Sequence, residues 1–158
     1  MYLITGVTGF VGQRLINVIR GNVRVLSRKK QLDLETLICD FEKDSVPSSA
    51  LDGIDTVFHL AGFAHDMRNA SKIESHYRKV NVDATIELAR LAVESGVKRF
   101  VFISSVKAGG DGVSSKCASE IDQGVPEGVY GETKREAELE LLKIGKASGM
   151  HVAIIRPS

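Results

Sequence analysis

Short apolar runs alternate with stretches of helical periodicity along this chain. Val23–Leu26, Leu37–Cys39, Thr56–Leu60, Phe100–Ile103 and Val152–Ile155 are compact apolar segments, several of them rich in β-branched residues. Such runs suit strands buried on both faces, as in a parallel sheet. Between them, Ala84, Leu88, Leu91 and Ser95 share one helical face, and Ala137, Leu141 and Ile144 share another. Gly21, Gly96 and Gly149 each separate a helical stretch from the next apolar run, where a left-handed C-cap fits. Helix, glycine, strand, repeated in this order, predicts right-handed crossovers and an α/β sheet with helices on both faces.

Two segments break the rhythm. Residues 61–80 are polar and mixed, and residues 108–128 hold Gly109, Gly110, Gly112, Gly124 and Pro126. Both follow the C-terminal end of a predicted strand, which is where ligands sit in open α/β sheets. Interrupting a compact domain rather than joining two, they are expected to be functional loops.

The start of the chain carries the sharpest local signal. Tyr2-Leu3-Ile4-Thr5 runs into glycines at Gly6, Gly9 and Gly12, and Val11, Leu15 and Ile19 then fall on one helical face. A strand, a glycine-rich turn and a helix are the parts of a dinucleotide-phosphate cradle. The first glycine permits the tight turn, the second lets backbone approach a pyrophosphate, and the third lets helix pack close to strand. Free N–H groups and the positive dipole end of the helix favour the anion.

Composition narrows the field. At 158 residues the chain is one domain of ordinary size with room for a good core. Lys and Arg number 21 against 20 Asp and Glu, so no net field points to nucleic acid or an acidic membrane. The four His are scattered without metal-ligand spacing, and no metal is expected. Cys39 and Cys117 are too few and too isolated for a disulfide framework and read as reduced thiols. No apolar run approaches the roughly 20 residues of a membrane span and no signal sequence precedes the first strand, so a cytoplasmic location is expected.

Tyr130-Gly131-Glu132-Thr133-Lys134 opens the last long helical stretch and places Tyr130 and Lys134 four apart, on one face. A cation about 5 Å from a phenol, at an effective dielectric of about 20, favours tyrosinate by roughly 3 kcal/mol. Ser104-Ser105 ends the Phe100–Ile103 run and offers a hydroxyl between a substrate oxygen and the tyrosine.

The order of glycine-rich turn, serine after a later strand and Tyr-x-x-x-Lys on the next helix resembles the extended short-chain dehydrogenase/reductases, the NAD-dependent epimerase/dehydratase family. Asp40-Phe41, His59-Leu60-Ala61-Gly62, Asn81-Val82 opening the long helix and Arg156-Pro157 add to the likeness. The resemblance implies a doubly wound, Rossmann-type parallel sheet. Residues 1–158 would be the dinucleotide-binding domain, with the family's C-terminal substrate domain absent from this chain. It implies a cofactor, NAD or NADP, held by Gly6, Gly9, Phe10, Val11 and Gly12 at the pyrophosphate turn. Asp40 and Phe41 would meet the adenine, and Leu60, Ala61 and Gly62 would line the path to the nicotinamide ribose. Ser105, rather than Ser104, Tyr130 and Lys134 would be catalytic. Tyr130 would exchange a proton, and Lys134 would hold the ribose and lower the tyrosine pKa. Asn81 would be a structural hydrogen-bonder.

Departures from the family pattern shape the expected function. NAD users usually end the second strand with an acidic residue, whereas this chain has Ser27 and then Arg28. A missing carboxylate beside a guanidinium suits a 2′-phosphate, while an Arg28 stacked on adenine would leave NAD acceptable. After Ser105 stands Val106-Lys107 instead of the acid pair of dehydratases, which argues against dehydration. Lys107, His65 and Met67 lie where a sugar would, or serve the loop alone. The expected function is a nucleotide-sugar epimerase, UDP-sugar 4-epimerase above all, acting through transient hydride transfer. A reductase or dehydrogenase on a keto-sugar or other carbonyl is the alternative, and a redox-silent dinucleotide-binding module a third. The expected partner is a UDP-sugar, and a homodimer is left open for the full-length parent.

Overall fold

Every strand pairs in parallel, and the strand order reverses once. The computed structural model describes residues 1–64, 70–110, 119–120 and 122–158. In chain order these form β1 (Tyr2–Thr5), α1 (Phe10–Val18), β2 (Val23–Ser27), β3 (Glu35–Ile38), a 3-10 turn (Ser48–Leu51) and β4 (Thr56–His59). Then come α2 (Ala70–Arg78), a π-helical turn (Lys79–Asp83), α3 (Ala84–Glu94), β5 (Arg99–Ile103), the single turn α4 (Val106–Gly109), α5 (Gly128–Ser148) and β6 (His151–Ile155). The sheet order is β3-β2-β1-β4-β5-β6, so the chain leaves β1 in one direction and returns beside it in the other. A crevice opens above the carboxyl ends of β1 and β4, where the register aligns Thr5 with both Leu26 and His59. On the far side of β4, His59 is aligned with Phe102 of β5.

Alternation along β1 sends its side chains to two cores. Ile4, Val7 and Val25 pack with Leu15, Ile16 and Ile19 of the α1 side. Leu3, Leu26, Val57, Phe100 and Phe102 form the larger core with Leu88, Ala89 and Ala92 of α3 and Ala137 and Leu141 of α5. Both-face burial explains the apolar runs of the central strands, whereas the edge strands β3 and β6, expected to be buried likewise, leave Ile38 57% and Ile155 48% exposed. The predicted α1 face holds for Leu15 and Ile19, but Val11 is 40% exposed at the helix start. Likewise Ser95 ends α3 as an exposed cap rather than joining Leu88 in the core. Gly149 closes α5 at φ 78° in the left-handed region, its N–H donating to Gly145 O at 2.9 Å.

Two expectations change. Residues 61–80 include α2, and the long helix opens at Ala70 rather than at Asn81. Asn81 instead sits inside the π-helical turn joining α2 to α3, a rare irregularity that tends to mark functional sites. His65, Met67, Gly112 and Cys117 lie outside the described residues.

Leu88 is fully buried between α3 and the sheet, so Leu88→Ala is expected to lower unfolding free energy by about 2–5 kcal/mol. Urea denaturation measures this; a loss under about 1 kcal/mol would mean that α3 does not seat against the sheet there.

Candidate functional site

The first crossover is built on backbone approaching backbone. Gly6 takes φ 70°, and a Cβ there would stand 2.5 Å from Ala61 N and 2.8 Å from Leu60 O. At Gly12 a Cβ would stand 2.3 Å from Gly6 O, so α1 presses directly on the turn. Gly9 N–H donates to Gly6 O at 3.0 Å and closes the loop. The first N–H groups of α1 have no intrahelical partner, and no acidic side chain occupies its first turn. This is a cradle for an anion.

Beside it lies a cleft of about 230 Å³. One end is lined by Leu26, Ser27, Arg28, Cys39, Asp40, Phe41 and Glu42, and the other by Leu60, Ala61, Gly62, Phe63 and Val80, with Gly6, Thr8 and Gly9 as the floor. Of the residues expected at a cofactor, Gly6, Gly9, Arg28, Asp40, Phe41, Leu60, Ala61 and Gly62 line this cleft. Gly12 is buried behind it, while Phe10 and Val11 stand at the first turn of α1 outside the lining. Phe10 is 72% exposed, with the Arg14 guanidinium 3.5 Å above its ring. Asp40 is held by its own loop: its carboxylate accepts from Glu42 N–H at 3.2 Å and meets Lys43 Nζ at 3.4 Å.

Beyond the cleft's Phe63 end lie the three side chains expected to be catalytic, carried by α4 and α5. Ser105 caps α4, accepting from Lys107 N–H at 3.3 Å, and its hydroxyl acts on the Tyr130 phenol to lower its pKa. Ser104, by contrast, is buried with no hydrogen-bond partner for its hydroxyl among the described residues. Tyr130 and Lys134 face the same way on the first turns of α5. Lys134 is 2% exposed; its Nζ donates to Ile103 O at 2.6 Å and sits 4.0 Å above the Phe102 ring. A Cβ on Gly62 would lie 3.6 Å from that Nζ, which places the cleft's rim against the ammonium. Lys107 is exposed on α4.

Electrostatics here differ from the sequence expectation. Burial pushes the Tyr130 phenol above its ordinary value and nearby Tyr77 adds to this, while the Ser105 hydrogen bond pulls it down. The expected lowering by Lys134 is not among the causes, because that ammonium is turned to Ile103 O and Phe102. Burial brings Lys134 itself down to about 7, opposed by the Glu138 carboxylate. Glu138, 2% exposed, is gripped by Arg156, whose Nε donates to Oε1 at 2.9 Å and Nη2 to Oε2 at 2.5 Å. Arg156, a motif residue without an assigned role in the sequence, thereby ties β6 to the helix that carries Lys134.

Sequence reasoning missed several neighbours of the site. Thr8, Cys39, Glu42, Phe63 and Val80 line the cleft without any motif to announce them. Phe63 meets Tyr77 edge-on at 4.9 Å, and Tyr77 meets Tyr130 edge-on at 6.1 Å, giving an aromatic wall beside the phenol. His59 lies fully buried below, stacked on Phe102 at 5.8 Å between centroids. Among the described residues no group of His, Cys, Asp or Glu could hold a metal, and no helix is long and apolar enough to cross a membrane.

A singly reversed parallel sheet, with a glycine cradle at its first crossover and a Ser, Tyr and Lys set beyond it, defines a Rossmann-type dinucleotide-binding domain. The chain belongs to the NAD dependent epimerase/dehydratase family, whose sequence profile matches residues 2–158. It is 37% identical over 167 residues to a UDP-glucose 4-epimerase of Vibrio cholerae, covering 99% of this chain and 50% of that protein. To a 3 beta-hydroxysteroid dehydrogenase/Delta 5-->4-isomerase of Mycobacterium tuberculosis it is 35% identical over 174 residues, covering 99% of this chain and 46% of that one. A short-chain dehydrogenase/reductase superfamily protein of Agrobacterium tumefaciens, solved with bound NAD, superposes with a TM-score of 0.87 at 27% identity, over 99% of this chain and 48% of that one. The chain thus spans about half the length of the curated relatives it matches.

Burial brings the His59 imidazole down to about 3, with the Lys134 charge adding to the effect. The unfolded chain binds a proton near pH 6.5, so between these values it holds more protons than the folded one. The contribution of His59 is therefore full above about pH 6.5 and is lost progressively as pH falls toward 3. Unfolding free energies of wild type and His59→Gln should converge by about 2–3 kcal/mol between about pH 7 and pH 4.5. A constant gap would mean that the folded imidazole is already charged.

Proposed function

We propose that this chain is the dinucleotide-binding half of a nucleotide-sugar epimerase, with a UDP-sugar as substrate and C4 as the reacting centre. The observation that carries the reading is the Ser105 hydroxyl acting on the Tyr130 phenol, one helical turn from Lys134, whose ammonium stands against the Gly62 rim of the cleft. The glycine cradle fits a pyrophosphate, since only backbone bounds it at Gly6 and Gly12. The cleft on either side offers an adenosine end at Ser27 to Glu42 and a nicotinamide end at Leu60 to Phe63. The V. cholerae relative supports the sugar-nucleotide assignment. The substrate-choosing half lies outside these residues in this reading.

When bound, the nicotinamide supplies hydride acceptance and return. The chain's own residues do the rest. Tyr130 Oη takes the proton of the substrate hydroxyl and gives it back. Ser105 holds the same oxygen, and its hydroxyl favours the ionised form of the phenol. Lys134 holds ribose hydroxyls, and with its ammonium drawn from Ile103 O toward the ribose it lowers the tyrosine pKa. The apolar wall of Phe63 and Tyr77 limits water around the phenol.

A second reading, a dehydrogenase or reductase on another carbonyl or secondary alcohol, is favoured by Arg28 at the cleft and by the mycobacterial relative. The nucleotide that accompanies the purified protein separates the two. Tightly held oxidised cofactor marks the epimerase, and exchangeable NADPH marks the reductase.

In the full-length parent, Tyr130→Phe is expected to reduce kcat by about 100-fold or more, with the cofactor Kd nearly unchanged. Turnover retained within about tenfold, roughly 1.4 kcal/mol of barrier, removes the proton-transfer role.

Arg28→Glu replaces an exposed guanidinium at the adenosine end by a carboxylate. Titration calorimetry with both cofactors is expected to show the NADP-to-NAD affinity ratio falling by about tenfold or more. An unchanged ratio would assign Arg28 to solvent or to stacking on adenine.

A further inference from the structure

Four buried side chains close a hydrogen-bonded ring beneath the site, and the direction of every proton in it is fixed. Thr5, His59 and Thr85 are fully buried, and Asn81 is 1% exposed. Ala61 N–H donates to Thr5 Oγ1 at 3.1 Å. Thr5 Oγ1 lies 2.7 Å from His59 Nδ1, and His59 Nε2 lies 2.9 Å from Thr85 Oγ1. Thr85 Oγ1 donates to Asn81 O at 2.9 Å. The Asn81 side chain then accepts from Phe63 N–H at 2.7 Å, donates to Phe63 O at 3.1 Å and donates to Thr133 Oγ1 at 3.2 Å. Thr133 belongs to α5, between Tyr130 and Lys134.

A backbone N–H can only donate and a carbonyl can only accept. Working from Ala61, the Thr5 oxygen accepts the amide and still has both a proton and a lone pair to offer Nδ1. Working from Asn81, the Thr85 proton is spent on the carbonyl, so its oxygen accepts from Nε2–H. Nε2 therefore carries the proton, and in the neutral imidazole that burial favours Nδ1 is bare and accepts from the Thr5 hydroxyl. The ring also begins at Ala61 and ends at Phe63, two residues on along the cleft rim. One network therefore grips both ends of the segment expected to meet the nicotinamide, and joins it to the catalytic helix.

We infer that His59, as the Nε2–H tautomer, is a positioning residue that sets the Ala61–Phe63 rim of the dinucleotide cleft against α5. This rests on the dinucleotide reading of the cleft. His59 and Thr85 act only through the ring, since neither lines the cleft. A purely structural imidazole would stabilise the core and leave the cleft indifferent to Thr85.

Side-chain nitrogen NMR of the wild-type chain is expected to show His59 protonated at Nε2 and bare at Nδ1 at neutral pH. Titration with NAD+ itself then tests the linkage. Thr85→Val removes one hydroxyl at constant shape and is expected to weaken NAD+ binding by about tenfold or more. Thr85→Ser is expected to restore it. Thr56→Val is the control: its buried hydroxyl bonds Asp55 and Arg99 at the far end of β4, and its loss should lower stability alone. A proton on Nδ1, or wild-type NAD+ affinity in a folded Thr85→Val chain, overturns the inference. If Thr85→Val does not fold, Thr85→Ser and the NMR tautomer of the wild type carry the test: a serine variant with lost NAD+ affinity and an intact fold counts against it. Failure of the wild-type chain to take up NAD+ overturns the dinucleotide reading and this inference with it.

Discussion

Backbone lies against backbone where β1 turns into α1, and that approach sets the geometry of everything above the sheet. With no Cβ at Gly6 or Gly12, the turn can touch both the exit of β4 and the first turn of α1. The same closeness brings Ala61 within reach of Thr5, so the cleft rim inherits its position from the innermost strand pair. A side chain at either glycine would part these layers by more than the length of a hydrogen bond can absorb. The cradle and the rim are thus one construction.

Above it, a buried cation is placed at the edge of an apolar core. Lys134 has Ile103 O and the Phe102 ring as partners, and Glu138 one turn further along α5. Burial of an ammonium is costly unless its surroundings compensate. Arg156 holds the Glu138 carboxylate in a two-pronged pair, which keeps that charge from collapsing onto the lysine. The lysine has Ile103 O and Phe102 as partners, so among the described residues the phenol has Ser105 but no cation to favour its ionised form. A group that draws the ammonium forward would change the acidity of the phenol at the same time.

The sheet was legible because its central strands are buried on both faces, which leaves apolar runs with little else to explain them. Gly6, Gly9, Gly12, Ser105, Tyr130 and Lys134 were legible as a pattern of spacings. α2 was not: Ala-Ser-Lys-Ile-Glu-Ser-His-Tyr-Arg is polar almost throughout, and Ala70, Ile73 and Tyr77 make only a thin stripe. The partners of His59 lie 54 and 26 residues away, so no local pattern could reveal what its two nitrogens do. Val11 and Ser95 were placed in helix faces by periodicity, but helix ends are where periodicity loses its hold on burial. The shift of the Tyr130 phenol ran against expectation because spacing gives the distance along a helix, not the direction in which a lysine points.

The π-helical turn at Lys79–Asp83 makes the long helix serve two masters. An α-helix advances about 100° per residue, so one surplus residue rotates everything before it relative to everything after. Tyr77 on the near side is thereby turned to Tyr130, while Leu88 on the far side still faces the sheet. A regular helix of the same composition would have to choose between lining the site and filling the core. The irregularity works as a change of phase, so an insertion or deletion through this turn would swing Tyr77 off Tyr130 or Leu88 off the sheet even with every residue type kept.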